Sequence, residues 1–150
     1  MKLGLQLGYW QKHPTPRFIE LAQVAESLGF YSVWTAEAYG SDCFTPLAAI
    51  AASTKRIRLG TGVMQISART PTCAAMTALT LDHISNGRLI LGVGVSGPQV
   101  VEGWYGQPFT RPLERTREWI QIDRGEAADY EEDLELFQAS IDFVKRGRGR

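Results

Sequence analysis

The chain repeats one pattern four times, a short apolar segment followed by an amphipathic one. The apolar segments cover residues 2–8, 31–36, 56–64 and 88–95. A repeat of roughly 30 residues is the length of one strand with its crossover helix. Nearly continuous apolar strands are typical of a parallel sheet covered by helices. The pattern therefore predicts an α/β fold, either an open doubly wound sheet or a (β/α)8 barrel.

The segments between these strands carry the signals of helix ends. Thr15 is expected to cap the first helix, with Pro16 as its first residue and Gly29 just past its end. Two further helices are predicted, at about 45–54 and, with Thr70 as its cap, from Pro71 to about His83.

The overall composition excludes several classes of protein. Hydrophobic residues make up 44% and charged residues 21% of the 150 residues, and the formal net charge is zero. This balance is typical of a globular protein and argues against a nucleic-acid or membrane-surface partner. No apolar run approaches the ~18 residues that cross a bilayer, and the start lacks signal-peptide features. We therefore expect a cytoplasmic protein.

The cysteines and histidines do not indicate a metal site. Cys43 and Cys73 lie thirty positions apart, and neither His13 nor His83 combines with them at a metal-ligand spacing. We expect two free thiols and no bound metal.

Both candidate folds place ligands at the carboxyl ends of the strands, and one acid lies there. Glu37 follows the second strand within "WTAEAYGSD". A carboxylate in a partly desolvated site at the strand ends can accept a proton or hydrogen-bond a cofactor ring. The alternative is a solvated acid in a loop. Gly60 and Gly62 lie within the third strand, which indicates a bulge, a close approach by a ligand, or a bend of the sheet.

The segment "ILGVGVSGPQ" at residues 90–99 has three glycines, Gly92, Gly94 and Gly97. A dinucleotide fingerprint normally follows the first strand, with an acid about 20 residues later, and this segment follows the fourth. A phosphate-holding turn and a crowded bend without a ligand both remain open. Pro98 suits the first position of a helix.

Several strings in this order resemble the luciferase-like oxidoreductases, in the branch that uses the deazaflavin coenzyme F420. They are "LGYW", "SVWTAEAYGSD", "LGTGVMQISARTP", "LDHISNGRLILGVGVSGPQVVEGWYGQP" and "PLERTRE". The resemblance covers residues 1 to about 120. It implies a (β/α)8 barrel, a homodimer, and hydride transfer between coenzyme F420 and a small organic substrate. Flavin mononucleotide is the alternative cofactor, because other branches use it for monooxygenation.

The resemblance also implies which residues contact the cofactor. Glu37 is expected against the deazaflavin ring, and the third strand is expected to bulge at Gly62 and Val63, often at a non-proline cis peptide bond. Val95, Ser96 and Gly97 are expected to offer N–H groups or a hydroxyl to the phosphate side of the cofactor. No catalytic residue is assigned, since Gly97, Pro98 and Gln99 stand where some relatives have an acid.

The family barrel needs about twice as many residues as this chain has. We therefore expect residues 1–120 to hold its first four βα units, a half-barrel, followed by a divergent helical tail at 121–150. The tail has an amphipathic pattern over 126–146 and a basic end, "KRGRGR". A truncated, non-catalytic half-barrel or assembly module is the alternative to an active oxidoreductase.

Overall fold

The computed structural model describes residues 1–10 and 13–110. The strands are β1 (Gly4–Gly8), β2 (Ser32–Thr35), β3 (Arg58–Thr61), β4 (Met64–Gln65), β5 (Leu89–Ile90) and β6 (Val93–Gly94). The helices are α1 (Phe18–Ser27), α2 (Phe44–Ser53), α3 (Pro71–Ser85) and α4 (Pro98–Val101), with a 3-10 helix at Ile66–Ala68. Within these residues, no helix has the length and apolar character needed to cross a membrane. The predicted boundary at residue 120 and the tail at 121–150 lie outside the described residues.

The strands form a parallel sheet whose order follows the chain. The order is β1-β2-β3-β5, and β4 pairs with β6 as a parallel continuation beyond β3 and β5. Helix α2 packs against both α1 and α3, so these three helices make one layer. A doubly wound sheet reverses its strand order and carries helices on both faces. The prediction of an α/β fold with a parallel sheet is confirmed. In the described residues, the strand order and the single helix layer are those expected for a (β/α)8 barrel and not for a doubly wound sheet.

A continuous apolar core lies between the sheet and the helix layer. Alternate strand residues point to this side, because side chains alternate between the faces of a strand. Its fully buried members include Val33, Leu47, Ile50, Ile57, Leu59 and Met64. This core holds the strand ends, and the loops that follow them, in fixed positions.

The opposite face of the sheet is occupied by the indole of Trp34. A Cβ atom on Gly60 would lie 2.2 Å from the Trp34 ring, and one on Gly4 would lie 3.0 Å from its Nε1 atom. The Trp34 Nε1–H group donates to Ser32 Oγ at 2.8 Å. Glycine on both neighbouring strands therefore makes room for the ring, and Gly60 is explained by side-chain packing within the sheet.

The third and fourth predicted strands are each divided: the third at Gly62 and Val63, where a bulge is expected, and the fourth at residues 91–92, where the predicted strand 88–95 is corrected. The division occurs where the Thr61 hydroxyl donates to the Gly92 carbonyl and accepts from the Gly92 N–H, both at 2.8 Å. The Met64 N–H also donates to the Gly92 carbonyl, at 2.8 Å. Side-chain hydrogen bonds replace the regular ladder at this point, and pairing resumes at β4 and β6.

The predicted start of the first helix is wrong. Helix α1 begins at Phe18, after Arg17 in the left-handed conformation (φ 56°) with no side-chain cap. Thr15 does not cap it, because its hydroxyl donates to the Leu7 carbonyl of β1 at 3.3 Å. The end is as expected, with Gly29 at φ 78°.

The other helix predictions are close to the structure. Thr70 caps α3 by accepting from the Cys73 N–H, and α3 begins at Pro71. Helix α4 begins at Pro98, as expected. Helix α2 begins one residue earlier than predicted, where Asp42 Oδ1 accepts from the N–H groups of Phe44 and Thr45.

Candidate functional site

The residues predicted to bind a cofactor all lie at or just beyond the carboxyl ends of the strands. Gly62 and Val63 connect β3 to β4, and Glu37 follows β2 by two residues. Val95, Ser96 and Gly97 connect β6 to α4. The sheet order places these three segments on neighbouring strands, so they share one edge. We call it the carboxyl edge.

The bulge between β3 and β4 contains a cis peptide bond between Gly62 and Val63. The expected position and bond type are therefore confirmed. The Gly62 N–H donates to the Thr35 carbonyl at 2.7 Å, and the Glu37 N–H donates to the Val63 carbonyl at 3.3 Å. Both bonds attach the bulge to the end of β2. The Val63 side chain stays 43% exposed, which leaves an apolar surface on the carboxyl edge.

Glu37 is buried at the base of this bulge and is not the solvated loop acid of the alternative interpretation. Its Oε2 atom accepts from the Gln65 N–H at 2.7 Å, and its carbonyl accepts from Gln65 Nε2 at 2.8 Å. Arg69 donates to both carboxylate oxygens, through Nη1 to Oε2 at 2.9 Å and through Nη2 to Oε1. Glu37 thus joins the end of β2 to Gln65 of β4 and to Arg69, both of which come after the bulge in the chain.

Arg69 is held firmly as a cation. Burial alone would lower its pKa, but the hydrogen bonds and the negative charge of Glu37 outweigh burial and raise it. The guanidinium also lies 5.4 Å from the centre of the Phe44 ring, within the range of a cation–π contact. The pair is therefore a fixed part of the structure and not a free acid and base.

Aromatic and thiol groups surround the pair. Burial, followed by the charge of Glu37, raises the pKa of the Tyr105 phenol. The same two causes raise the pKa of the buried Cys43 thiol, which keeps it protonated. Tyr39 and Trp104 meet edge to face at 5.2 Å between ring centres. These groups give the carboxyl edge an aromatic border.

Gly92 and Gly94 are explained by crowding between strand ends. A Cβ atom on Gly92 would lie 2.3 Å from the Thr61 carbonyl oxygen, and one on Gly94 would lie 2.7 Å from Val63 Cγ2. The Thr61 backbone leaves no room for a Cβ atom at Gly92, so that position requires glycine, whereas at Gly94 the Val63 side chain would have to move. The interpretation of residues 90–99 as a crowded bend therefore applies at Gly92 and Gly94.

The part of that segment nearest to α4 is more open. Ser96 is exposed and adopts a left-handed backbone conformation at φ 61°. A Cβ atom on Gly97 would meet only the flexible end of the Gln99 side chain, at 2.8 Å. The Gly97 carbonyl accepts from the N–H groups of Val100 and Val101. Ser96 therefore offers its hydroxyl at the surface, beside the first turn of α4.

Sequence analysis missed Gln65 and Arg69, although both lie within a string that carried the resemblance. Gln65 is 7% exposed, and its Oε1 atom has no hydrogen-bond partner among the described atoms. Its amide orientation is fixed by the bond from Nε2 to the Glu37 carbonyl. A buried acceptor without a donor is unusual in a folded protein, and a bound ligand or water is a common reason for one.

Comparison with known proteins gives the family. The sequence model of luciferase-like monooxygenases matches residues 4–136. The chain belongs to the luciferase-like monooxygenase family. Over 124 residues it is 66% identical to a Mycobacterium tuberculosis protein named "Putative coenzyme F420-dependent oxidoreductase", covering 83% of this chain and 36% of that one. One relative of this chain in the family is thus named for dependence on coenzyme F420.

Two solved structures resemble this luciferase-like chain. The monooxygenase RslO1 from Streptomyces bottropensis has a TM-score of 0.71 at 32% identity, covering 79% of this chain and 40% of RslO1. The coenzyme F420-dependent tetrahydromethanopterin reductase from Methanopyrus kandleri has a TM-score of 0.61 at 31% identity, covering 72% of this chain and 30% of the reductase. The chain therefore spans 30–40% of the length of these three proteins.

Proposed function

We propose that the chain binds coenzyme F420 at the carboxyl edge and serves hydride transfer between that coenzyme and a small organic substrate. The observation that carries the proposal is the bulge at Gly62 and Val63, which presents an exposed apolar side chain beside buried polar groups. The 66% identical relative supports F420 as the coenzyme. When bound, the deazaflavin ring supplies the hydride chemistry, and the protein supplies its orientation.

The residues of the carboxyl edge fit a planar ring with polar margins. Val63 offers an apolar surface for one face of the ring, and Gly94 leaves room beside its Cγ2 atom. Gln65 Oε1 is a buried acceptor for an N–H donor of a ligand. Glu37 belongs to the same site and acts by fixing the bulge, since its carboxylate already accepts from Arg69 and Gln65.

The open turn after β6 suits the phosphate side of the coenzyme. We assign contacts with it to the Ser96 hydroxyl and to the backbone N–H groups of Val95 and Gly97. Small residues in a turn before a helix allow an anion to approach backbone N–H groups closely. The proton donor of the reaction stays unassigned, and a homodimer is proposed from the family resemblance alone.

Two alternatives to this function follow from the family resemblance, and one of them has a specific observation in its favour. The 32% identical solved structure is a monooxygenase, which favours a flavin mononucleotide-dependent monooxygenase as the second candidate. A non-catalytic half-barrel or assembly module is the third candidate, and it differs from the other two in lacking turnover. The three candidates differ in which cofactor binds and in whether turnover follows.

Equilibrium binding separates these candidates. Oxidised coenzyme F420 is titrated with the full chain and followed by its fluorescence, with flavin mononucleotide in parallel. The proposal expects saturable F420 binding that Val63→Asp abolishes and Val63→Ile preserves, because a carboxylate would put charge against the ring. Tighter binding of flavin mononucleotide would favour the monooxygenase, and binding of neither cofactor to the folded chain would favour the non-catalytic module.

A further inference from the structure

A second recess lies at the opposite end of the sheet, where the strands begin. Its volume is about 650 Å³, within the range of about 300 to 1,000 Å³ that holds small ligands. Its charged and aromatic lining among the described residues consists of Lys2, Glu26, Phe30, Tyr31, Arg56, Arg58 and Arg88. We call it the amino-end recess. It shares no lining residue with the carboxyl edge.

The lining is strongly basic, with four cationic side chains and one acid. The acid, Glu26, is already engaged by the protein. Its Oε1 atom accepts from three consecutive backbone N–H groups, those of Lys55, Arg56 and Ile57, at 2.8, 2.6 and 2.9 Å. A carboxylate bound in this way stabilises the loop before β3. Among the described residues that line the recess, four side chains are cationic and one is a carboxylate.

Arg88 provides a buried positive charge at this recess. It is 8% exposed, and its guanidinium donates to the carbonyls of Ser85, Ile57 and Ala51 and to the Thr54 hydroxyl. All four acceptors are neutral. Burial lowers the pKa of Arg88, and the charge of Glu26 opposes that effect. A buried cation with neutral partners is stabilised by an anion placed nearby.

The cationic groups of Lys2 and Arg58 both lie over the ring of Tyr31. Lys2 Nζ lies 4.3 Å from the ring centre, and the Arg58 guanidinium carbon lies 6.0 Å from it. Both distances are within the range of cation–π contacts. The ring therefore holds two positive groups at the recess before any ligand arrives, which lowers the entropy cost of binding an anion.

We propose that the amino-end recess binds a small phosphate-bearing molecule. Phosphate oxygens accept charge-assisted hydrogen bonds from guanidinium and ammonium groups, which are the groups this recess supplies. The proposal is independent of the function assigned to the carboxyl edge, because the two sites use different residues and opposite ends of the strands.

Inorganic pyrophosphate is the probe, measured by isothermal titration calorimetry with the full chain. The expected result is saturable binding of one pyrophosphate per chain. The double variant Lys2→Ala/Arg56→Ala is expected to weaken it about tenfold or more, since two charge-assisted contacts are lost. Both side chains are exposed, so folding is preserved. The matched control is Lys55→Ala, which removes an exposed cation of the same loop outside the recess lining.

Three results would overturn the proposal. The first is no saturable binding of pyrophosphate to the folded chain. The second is equal weakening by Lys55→Ala and by the double variant, which would mean general charge attraction. The third is amide chemical-shift changes on adding pyrophosphate that centre on Ser96 and Gly97, which would move the anion to the carboxyl edge.

Discussion

The guanidinium of Arg69 hydrogen-bonds both carboxylate oxygens of Glu37, across 32 positions of sequence. The Glu37 side chain is 4% exposed and the Arg69 side chain 17%. Glu37 also binds the backbone N–H of Gln65 and donates its own N–H to Val63. The pair therefore fixes the bulge on which the proposed cofactor site is built.

Replacing Arg69 with methionine is expected to destabilise the fold by about 3–5 kcal/mol, because a buried carboxylate then loses its cation. Urea unfolding at pH 7 measures this change. The control is Arg17→Met, which removes an ion pair with Glu20 whose side chains are 77% and 55% exposed. That pair is expected to contribute at most ~1 kcal/mol. Equal losses in the two variants would contradict the structural role of the buried pair.

Replacing Gly92 with alanine is expected to cost about 2 kcal/mol or more, because the added Cβ would meet the Thr61 carbonyl oxygen. Backbone atoms must then move apart at the edge that carries Val63. The matched control is Gly97→Ala, where only the end of the Gln99 side chain must move. Thermal unfolding compares the variants, and a Gly97→Ala loss as large as that of Gly92→Ala would argue against crowding as the reason for these glycines.

Glu26 is expected to make stability depend on pH. Desolvation raises its pKa, but the hydrogen bonds from Arg56, Ile57 and Lys55 outweigh it, so the folded-state pKa lies below 4.5. A lowered pKa means that the stabilisation is present above the unfolded-state pKa and is lost as pH falls through the folded-state value. Glu26→Gln is therefore expected to cost about 1 kcal/mol at neutral pH.

The pH dependence is checked by urea unfolding of wild type and Glu26→Gln at pH 7 and below pH 4. The difference in unfolding free energy is expected to shrink at the lower pH, as the wild-type carboxylate becomes protonated. Glu20→Gln serves as the control on an exposed surface of the same helix. A difference that stays constant over this range would show that the charge of Glu26 does not stabilise the loop.

The two thiols are expected to react at different rates. Cys43 is fully buried, and burial with the nearby Glu37 charge raises its pKa, whereas Cys73 is exposed. A thiol reagent such as 5,5′-dithiobis-(2-nitrobenzoic acid) should label one cysteine quickly in the folded protein and the second only in denaturant. Fast labelling of Cys43 in native buffer would mean that the loop after β2 opens readily.

Sequence analysis predicted the elements that depend on local signals. The four apolar segments contain the strands to within one residue, the third and fourth segments holding two short strands each, because they bury side chains such as Val33 and Leu59 beneath the helices. The Thr70 cap was predictable because the cap and its first helical turn are adjacent in sequence. The Thr15 cap was wrong because a distant carbonyl, that of Leu7, binds its hydroxyl instead.

The candidate site was predictable only where a motif had been recognised. The bulge at Gly62 and Val63 was expected from the resemblance and confirmed. The bond between Glu37 and Arg69 was not expected, because residues 32 positions apart meet only after the parallel sheet has formed. Crowding at Gly92 was one of the interpretations left open, and the sequence could not decide it because it depends on how closely Gly92 approaches the Thr61 carbonyl.

Nuclear magnetic resonance can locate the bound coenzyme on the chain. Backbone amide chemical shifts of the isotope-labelled chain are recorded as coenzyme F420 is added. Binding at the carboxyl edge predicts that the largest changes lie at Val63, Gln65, Ser96 and Gly97, with small changes at Tyr31 and Arg56. Saturable binding with the largest changes at the amino-end recess, or no change at Val63 and Gln65, would contradict it.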